Sequence, residues 1–192
     1  MAAPTLYQPL GNIAAGSGYD TPTFAWSAVQ GVHHYWLYVF DSATQQVVID
    51  QRNLNTTSFT PAAVQGLTPG RQYTWYVFAL STNGMALNFV PGQTFTLASL
   101  PAPILSGPSG HIALDTPTFT WSNVNGATRY AVYVHDLTTN QSPSGVVLTA
   151  GTSFMPAAPL TRGHTYRWWV ASVSANGMYT FVDNTLDFTV DV

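Results

Sequence analysis

The sequence predicts an all-β protein made of two tandem β-sandwiches of about seven strands each. Three observations carry this prediction. Thr, Val and aromatic residues, which suit half-buried strands, are plentiful, whereas Glu and Lys are absent. The 13 Pro and 15 Gly divide the chain into short segments. An internal repeat of about 95 residues is long enough for each copy to bury a core of its own.

The repeat is defined by two segments of nearly identical sequence. Thr21–Ser27 corresponds to Thr116–Ser122, and the correspondence continues through the rest of each copy. Further matched pairs are Gly31 and Gly126, Tyr35 and Tyr130, Tyr73 and Tyr166, Asn83 and Asn176, and Phe95 and Phe188. We therefore expect a first domain at residues 1–98, a short linker stiffened by proline at 99–103, and a second domain at 104–192.

Strand signals follow one another regularly along each copy. In the first copy, strands are predicted at Phe24–Trp26, His33–Asp41, Gln46–Gln51, Ser58–Thr60, Arg71–Leu80 and Thr94–Ala98. Asn83-Gly84 predicts a hairpin turn, because both residues tolerate a positive φ. Turn signals at intervals of about 8–12 residues are typical of a sandwich of two sheets.

The two chain ends lead to an expectation about the parent protein. Met1–Pro4 has neither the basic residues nor the apolar stretch of a secretory signal peptide. Phe188–Val192, at the other end, has the character of a strand. We expect the chain to be a processed or excised part of a larger protein.

Residues shared by the two copies carry a resemblance to a known family. Both copies have a tryptophan on the second strand, a tyrosine on the third, and a corner in which a tyrosine follows a leucine: Trp26 and Trp121, Tyr35 and Tyr130, Leu67–Tyr73 and Leu160–Tyr166. With these features, each copy resembles a fibronectin type III domain, a sandwich of the immunoglobulin-like kind. The second copy departs from the pattern at Arg162, which replaces Pro69 of the first.

The resemblance has implications for structure and location. It implies that the corner tyrosine hydroxyl bonds back to nearby backbone. The sequence pattern Pro-x-Phe-x-Trp-Ser is also similar to repeats of large secreted bacterial proteins, including polysaccharide-degrading enzymes and adhesins. It therefore implies an extracellular or cell-surface location and a role in binding. The fold alone does not determine the function, because such sandwiches serve many unrelated roles.

One outer sheet face of the first copy is predicted to be aromatic. Side chains alternate along a strand, so residues between the core positions Tyr35, Leu37 and Val39 point outward. Adding the neighbouring strand of the resembled fold, the outward set is Trp36, Tyr38, Phe40, Tyr76 and Phe78. The second copy keeps Tyr133 and Trp169 but has Ala131, His135 and Ala171 in place of Trp36, Phe40 and Phe78. We interpret these seven aromatic residues as candidate ligand- or partner-binding residues, because the copies share core positions but differ on this face.

Four functional interpretations are open at the level of sequence, and three of them concern this face. Flat rings stack on the apolar faces of sugars while Gln, Asn, Asp and Thr bond the hydroxyls, which makes a polysaccharide one candidate partner. A protein interface is the second, between the copies, between identical chains in self-association, or with the rest of a larger protein. The third is cross-strand packing that contributes only stability. The fourth is a passive spacer that sets the reach of an attached domain.

Composition excludes several other classes of partner. Five Arg and eight Asp give a net charge of -3, so the chain lacks the basic stripe expected for nucleic acid or for anionic lipid. No apolar run approaches the roughly 20 residues that membrane insertion requires. The absence of Cys rules out disulfides and thiol chemistry.

No catalytic or metal-binding constellation stands out, and no cofactor is expected. The carboxylates form no repeated close pair of the kind glycosidases use, and we interpret them as turn caps: Asp20, Asp41, Asp50, Asp115, Asp136, Asp183 and Asp187. His33 and His34, as neighbours on a strand, are expected to face opposite ways and not to share a metal ion. The sequence therefore predicts a protein that is not an enzyme.

Overall fold

A computed structural model of the chain describes residues 3–86, 90–180 and 184–192. The chain divides into two compact units, Met1–Ser99 and Leu100–Val192. Each unit has its own buried aromatic and aliphatic residues. Met1, Ala2 and Asp183, which the sequence analysis mentions, lie outside the described residues.

Residues 100–103, expected to belong to a linker, are tied to the second unit. The Ser172 hydroxyl donates a hydrogen bond to the Pro101 carbonyl at 2.7 Å. The Asn184 side chain donates to the Pro103 carbonyl, also at 2.7 Å. Because Leu100 is in addition buried, this segment is part of a folded unit.

The first unit is a sandwich of a three-stranded and a five-stranded sheet. Its strands are β1 (Leu6–Gln8), β2 (Gly11–Ile13), β3 (Phe24–Trp26), β4 (His34–Asp41), β5 (Val47–Leu54), β6 (Ser58–Phe59), β7 (Gln72–Leu80) and β8 (Gln93–Leu97). A short 3-10 helix spans Ala63–Gln65. The strand orders are β1-β3-β6 and β2-β8-β7-β4-β5. Only the β2–β8 pair is parallel among the described strand pairs of this unit.

The second unit repeats this arrangement. Its strands are β9 (Leu105–Gly107), β10 (Gly110–Ile112), β11 (Phe119–Trp121), β12 (Arg129–Asp136), β13 (Val146–Thr149), β14 (Ser153–Phe154), β15 (Thr165–Val173) and β16 (Thr185–Val190). The strand orders are β14-β11-β9 and β10-β16-β15-β12-β13.

Each unit has one more strand than predicted, because its first extended segment is shared between the two sheets. In the first unit, β1 pairs with β3, whereas β2 pairs with β8 of the other sheet. The cis peptide between Gln8 and Pro9 lies between them. The second unit has a cis Gly107–Pro108 peptide at the same place.

A fully buried tryptophan lies at the centre of each core. The Trp75 ring meets Phe24 edge to face at 5.3 Å between centroids, and the Trp168 ring meets Phe119 in the same way at 5.0 Å. The Trp75 indole donates to the Pro9 carbonyl at 3.0 Å. These contacts join the two sheets of each unit around one large ring. Their edge-to-face geometry is one that aromatic pairs prefer.

The corner tyrosines behave as the family resemblance implies. The Tyr73 hydroxyl accepts a hydrogen bond from the Thr68 amide at 2.8 Å and donates to the Thr68 carbonyl at 3.1 Å. Tyr166 makes the same pair of bonds with Thr161, at 2.8 and 3.3 Å. Together with the sheet orders, these corners define the fold. Both units are fibronectin type III-like sandwiches.

Removing one corner hydroxyl tests its contribution to stability. Tyr73→Phe removes the hydroxyl that bonds the Thr68 amide and carbonyl, and we expect the free energy of unfolding to fall by about 2 kcal/mol. Chemical denaturation monitored by circular dichroism measures the loss. The matched control is Tyr38→Phe, since the Tyr38 hydroxyl makes no hydrogen bond within the described part of the chain. Equal stability of the two variants would contradict a role for the corner bonds.

Candidate binding surface

The five predicted aromatic residues of the first unit lie side by side on the outer face of its five-stranded sheet. Trp36 lies directly opposite Phe78, and Tyr38 lies opposite Tyr76, across the β4–β7 pair. The residues between them, such as Leu37 and Val77, are buried in the core. We call this set the aromatic face: Trp36, Tyr38, Phe40, Tyr76 and Phe78.

The rings of the aromatic face form a continuous path. The Trp36 and Phe78 rings are 5.1 Å apart between centroids, Phe78 and Tyr76 are 6.4 Å apart, and Tyr76 and Phe40 are 6.1 Å apart. Tyr38 packs against both Trp36 and Phe40, at 5.9 and 6.4 Å. All five side chains are half-buried, and each packs against at least one other ring of the set. The face therefore offers one connected layer of ring surface.

An ion pair flanks this layer at Trp36. The Trp36 indole donates to Asp50 at 2.6 Å, and the Arg52 guanidinium bonds both oxygens of the same carboxylate at 3.1 Å. Arg52 also lies 4.7 Å above the Trp36 ring, within the range of a cation–π contact. The Arg52 hydrogen bond, helped by the one from Trp36, outweighs desolvation and lowers the pKa of Asp50. A carboxylate and a guanidinium are thus held charged beside the ring.

Asp50 corrects one sequence interpretation. It is not a turn cap but lies on β5 directly opposite Tyr38, so its side chain belongs to the aromatic face. The β4–β5 register contains two irregularities, which hide this pairing from a simple count along the sequence.

Gly92 leaves the space that the Tyr76 ring occupies. A Cβ atom at Gly92 would lie 2.6 Å from two carbons of that ring and 3.0 Å from the Thr74 methyl. The backbone therefore approaches the ring more closely than any side chain would permit. A methyl group at this position would force the Tyr76 ring away from its stack with Phe40 and Phe78.

The second unit has a different outer face. Tyr133 and Trp169 are brought together as predicted neighbours and stack at 4.7 Å with an interplanar angle of 11°. Ala131 and Ala171 lie opposite one another where the first unit has Trp36 and Phe78. They form the floor of a concave site of about 460 Å³, whose other lining residues are Tyr133, Val146, Leu148, Trp169 and Tyr179. We call this site the groove.

The expected separation of the two adjacent histidines is wrong. The Nδ1 atoms of His33 and His34 are 2.8 Å apart. Strand β4 begins only at His34, so strand alternation does not govern His33. No group of three His, Asp, Glu or Cys residues suited to a metal ion occurs within residues 3–86, 90–180 and 184–192. In the same part of the chain, no helix has the length and hydrophobicity needed to cross a membrane.

Comparison with known proteins gives limited similarity. No protein-family profile matches the chain. The receptor-type tyrosine-protein phosphatase eta of Gallus gallus is 27% identical over 124 residues, which cover 65% of this chain and 8% of that protein. The protein of the same name from Mus musculus is also 27% identical over 124 residues, covering 62% and 10%. The chain thus spans no more than a tenth of the length of these relatives.

Two solved structures of fibronectin type III domains align with the chain at low identity. The FN1-FN3 domains of chicken CNTN1 align with a TM-score of 0.40 at 13% identity, covering 98% of this chain and 64% of that one. A segment of two fibronectin type III domains from chicken tenascin aligns with a TM-score of 0.36 at 16% identity, covering 96% and 93%. The fold assignment itself rests on the sheet orders and tyrosine corners described above.

Proposed function

We propose that the chain is a non-catalytic binding module of a larger secreted or cell-surface protein, and that it binds carbohydrate through the aromatic face. Fibronectin type III-like sandwiches typically serve as adhesion or spacer modules. The observation that carries the proposal is the connected layer of five rings with the Asp50–Arg52 ion pair beside Trp36. The repeated sequence pattern Pro-x-Phe-x-Trp-Ser favours a bacterial source for that larger protein.

The chemistry of a sugar ring suits this surface. A pyranose has one apolar face, which stacks on flat rings, and hydroxyls at its edge, which need hydrogen-bond partners. The flattest part of the surface is the row Phe40, Tyr76 and Phe78, in which neighbouring rings are inclined by only 11° and 17°. The Trp36 ring continues this row at an angle of 35° to Phe78. Asp50 accepts and Arg52 donates at the same edge, and their side chains are 39% and 65% exposed, respectively. Stacking and hydrogen bonding are therefore available within one ring's width.

Replacing Trp36 tests the proposal directly. We expect Trp36→Ala to weaken retention on insoluble cellulose or chitin, or binding to the matching array glycan, by about tenfold or more. The control is Tyr7→Ala, because Tyr7 is an exposed aromatic residue on β1 of the other sheet. Trp36 is half-buried and packed, so the variant should also lose some thermal stability.

Gly92→Ala tests whether binding depends on the arrangement of the rings, because it removes none of them. It keeps all five aromatic residues but displaces Tyr76, so binding should weaken while the ring count is unchanged. Retention by Trp36→Ala and Gly92→Ala equal to that of the parent chain would overturn the proposal. Failure of the unmutated chain to bind any glycan would overturn it as well.

Light scattering addresses the rival use as a self-association surface. A surface between identical chains predicts a mass that rises with concentration and falls back to the monomer in Phe78→Ser. A spacer predicts neither glycan binding nor such a mass change. The same purified sample serves both measurements, so the uses are distinguished side by side.

A further inference from the structure

The two units differ most at one pair of positions on equivalent strands. In the first unit, Trp36 and Phe78 face one another across β4 and β7 with their rings 5.1 Å apart. In the second unit, the corresponding cross-strand pair on β12 and β15 is Ala131 and Ala171. Two aromatic side chains are thus exchanged for two methyl groups at directly opposed positions of the same fold.

The described neighbouring side chains line the space without filling it. The groove above Ala131 and Ala171 has about 460 Å³, which lies in the range of about 300–1,000 Å³ typical of small-ligand sites. Its wall on one side is the stacked pair Tyr133 and Trp169. Leu148, opposite Ala131 on the edge strand β13, remains about half exposed at 47%. The floor is buried, yet an apolar rim faces outward.

The lining determines the chemical class of the ligand. Among the described residues that line the groove, none carries a charge, so a charged ligand would lose its hydration without gaining a partner from them. Most of the lining offers a sugar hydroxyl no side-chain hydrogen bond, and the polar side-chain groups are confined to the hydroxyls of two tyrosines and one indole N–H: Tyr133, Tyr179 and Trp169. A neutral aromatic ring has no charge and few polar atoms to desolvate on entering such a site, and it gains contact with the Trp169 and Tyr133 wall.

The first unit shows what this position of the sheet accommodates. There an indole and a phenyl ring occupy the space above β4 and β7, and they pack against the equivalents of Tyr133 and Trp169, namely Tyr38 and Tyr76. We propose that the groove of the second unit binds a neutral planar aromatic ring of indole size, supplied in trans. The ligand takes the place that Trp36 and Phe78 fill in the first unit. This site is distinct from the aromatic face, and its ligand class differs from carbohydrate.

The probes are indole and N-acetyl-tryptophanamide, titrated into the whole chain. With alanine methyl groups labelled by ¹³C, we expect both probes to shift the Ala131 and Ala171 methyl resonances saturably. Saturable shifts spread over alanines outside the groove, or none, would overturn the proposal. A longer peptide containing tryptophan distinguishes the source of the ring: tighter binding than the amide indicates a peptide partner, and equal binding indicates a small aromatic molecule.

Refilling the groove provides the decisive variant. Ala131→Trp combined with Ala171→Phe restores the ring pair of the first unit, and should weaken probe binding by about tenfold or more. The milder Ala171→Leu should weaken it partly, and serves if the double variant does not fold. The control is Ala157→Trp, which adds the same bulk at an exposed position. Unchanged probe binding in a folded, refilled variant would contradict the inference.

The Trp36→Ala variant keeps this inference separate from the proposed function. Indole binding in the groove should be the same in Trp36→Ala as in the parent chain, whatever happens to glycan binding. Loss of indole binding in that variant would place the ring site on the first unit and would overturn the assignment.

Discussion

Trp168→Ala is expected to remove most of the stability of the second unit. The side chain is fully buried, meets Phe119 at 5.0 Å and donates to the Pro108 carbonyl at 2.9 Å. Truncating a buried tryptophan to alanine leaves a cavity and lowers the free energy of unfolding by about 3–5 kcal/mol. The Pro108 carbonyl, which loses its hydrogen bond, adds to this loss. A domain has only about 5–15 kcal/mol in total. Calorimetry should show the transition of this unit strongly lowered or absent.

The repeat supplies a matched control for this change. Trp75→Ala makes the same lesion in the first unit, where the ring packs on Phe24 and bonds Pro9. Each variant should damage its own unit, so the Trp75 indole N–H resonance should keep its position in Trp168→Ala. Trp168→Phe keeps a ring but loses the hydrogen bond, and should cost less. If Trp168→Ala melted at the same temperature as the unmutated chain, the core of the second unit would not depend on this ring.

Much of the fold follows from the sequence because strand alternation is a local property. Tyr35, Leu37 and Val39 are buried as the alternating pattern of β4 predicts, and the same holds for β7. The division of the first segment between two sheets does not follow, because it depends on which edges are free in the folded unit. At the predicted Asn83-Gly84 turn, only Gly84 takes a positive φ, of 77°.

The arrangement of the candidate surface is only partly predictable. Alternation places Trp36 and Phe78 on one face, but it does not reveal how far the rings cover one another. Asp50 and Arg52 join the face through an irregular β4–β5 register, which no count along the chain would find. The groove follows from the exchange of rings for Ala131 and Ala171, but its size depends on how the side chains of Leu148 and Tyr179 line it, which the sequence does not show.

The second large effect is expected at a buried carboxylate of the second unit. Asp136 accepts hydrogen bonds from the Thr138 and Thr139 amides at 2.9 and 3.2 Å and from His164 at 2.8 Å. Asp136→Asn keeps the shape but loses the charge in these bonds. We expect the free energy of unfolding near neutral pH to fall by about 2–3 kcal/mol. Urea denaturation of the second unit measures it.

The control for this change is Asp187→Asn in the same unit. Asp187 pairs with Arg167 at 2.8 Å, but both side chains are nearly half exposed. Exposed ion pairs contribute only about 0–1 kcal/mol, so this variant should stay close to the parent chain. An equal loss in both variants would show that burial of Asp136 has no special effect.

Acid adds an independent test of the same carboxylate. Burial raises the pKa of Asp136, but hydrogen bonds from His164, Thr139 and Thr138 outweigh it and leave the pKa below the ordinary value of 3.8. A carboxyl whose pKa is lower in the folded state stabilises the fold above pH 3.8, and this contribution is lost as the pH falls through the folded-state pKa. The parent chain should therefore lose stability more steeply than Asp136→Asn as the pH falls below about 4. Parallel stability curves for the two proteins in acid would show that Asp136 titrates alike in the folded and unfolded chain.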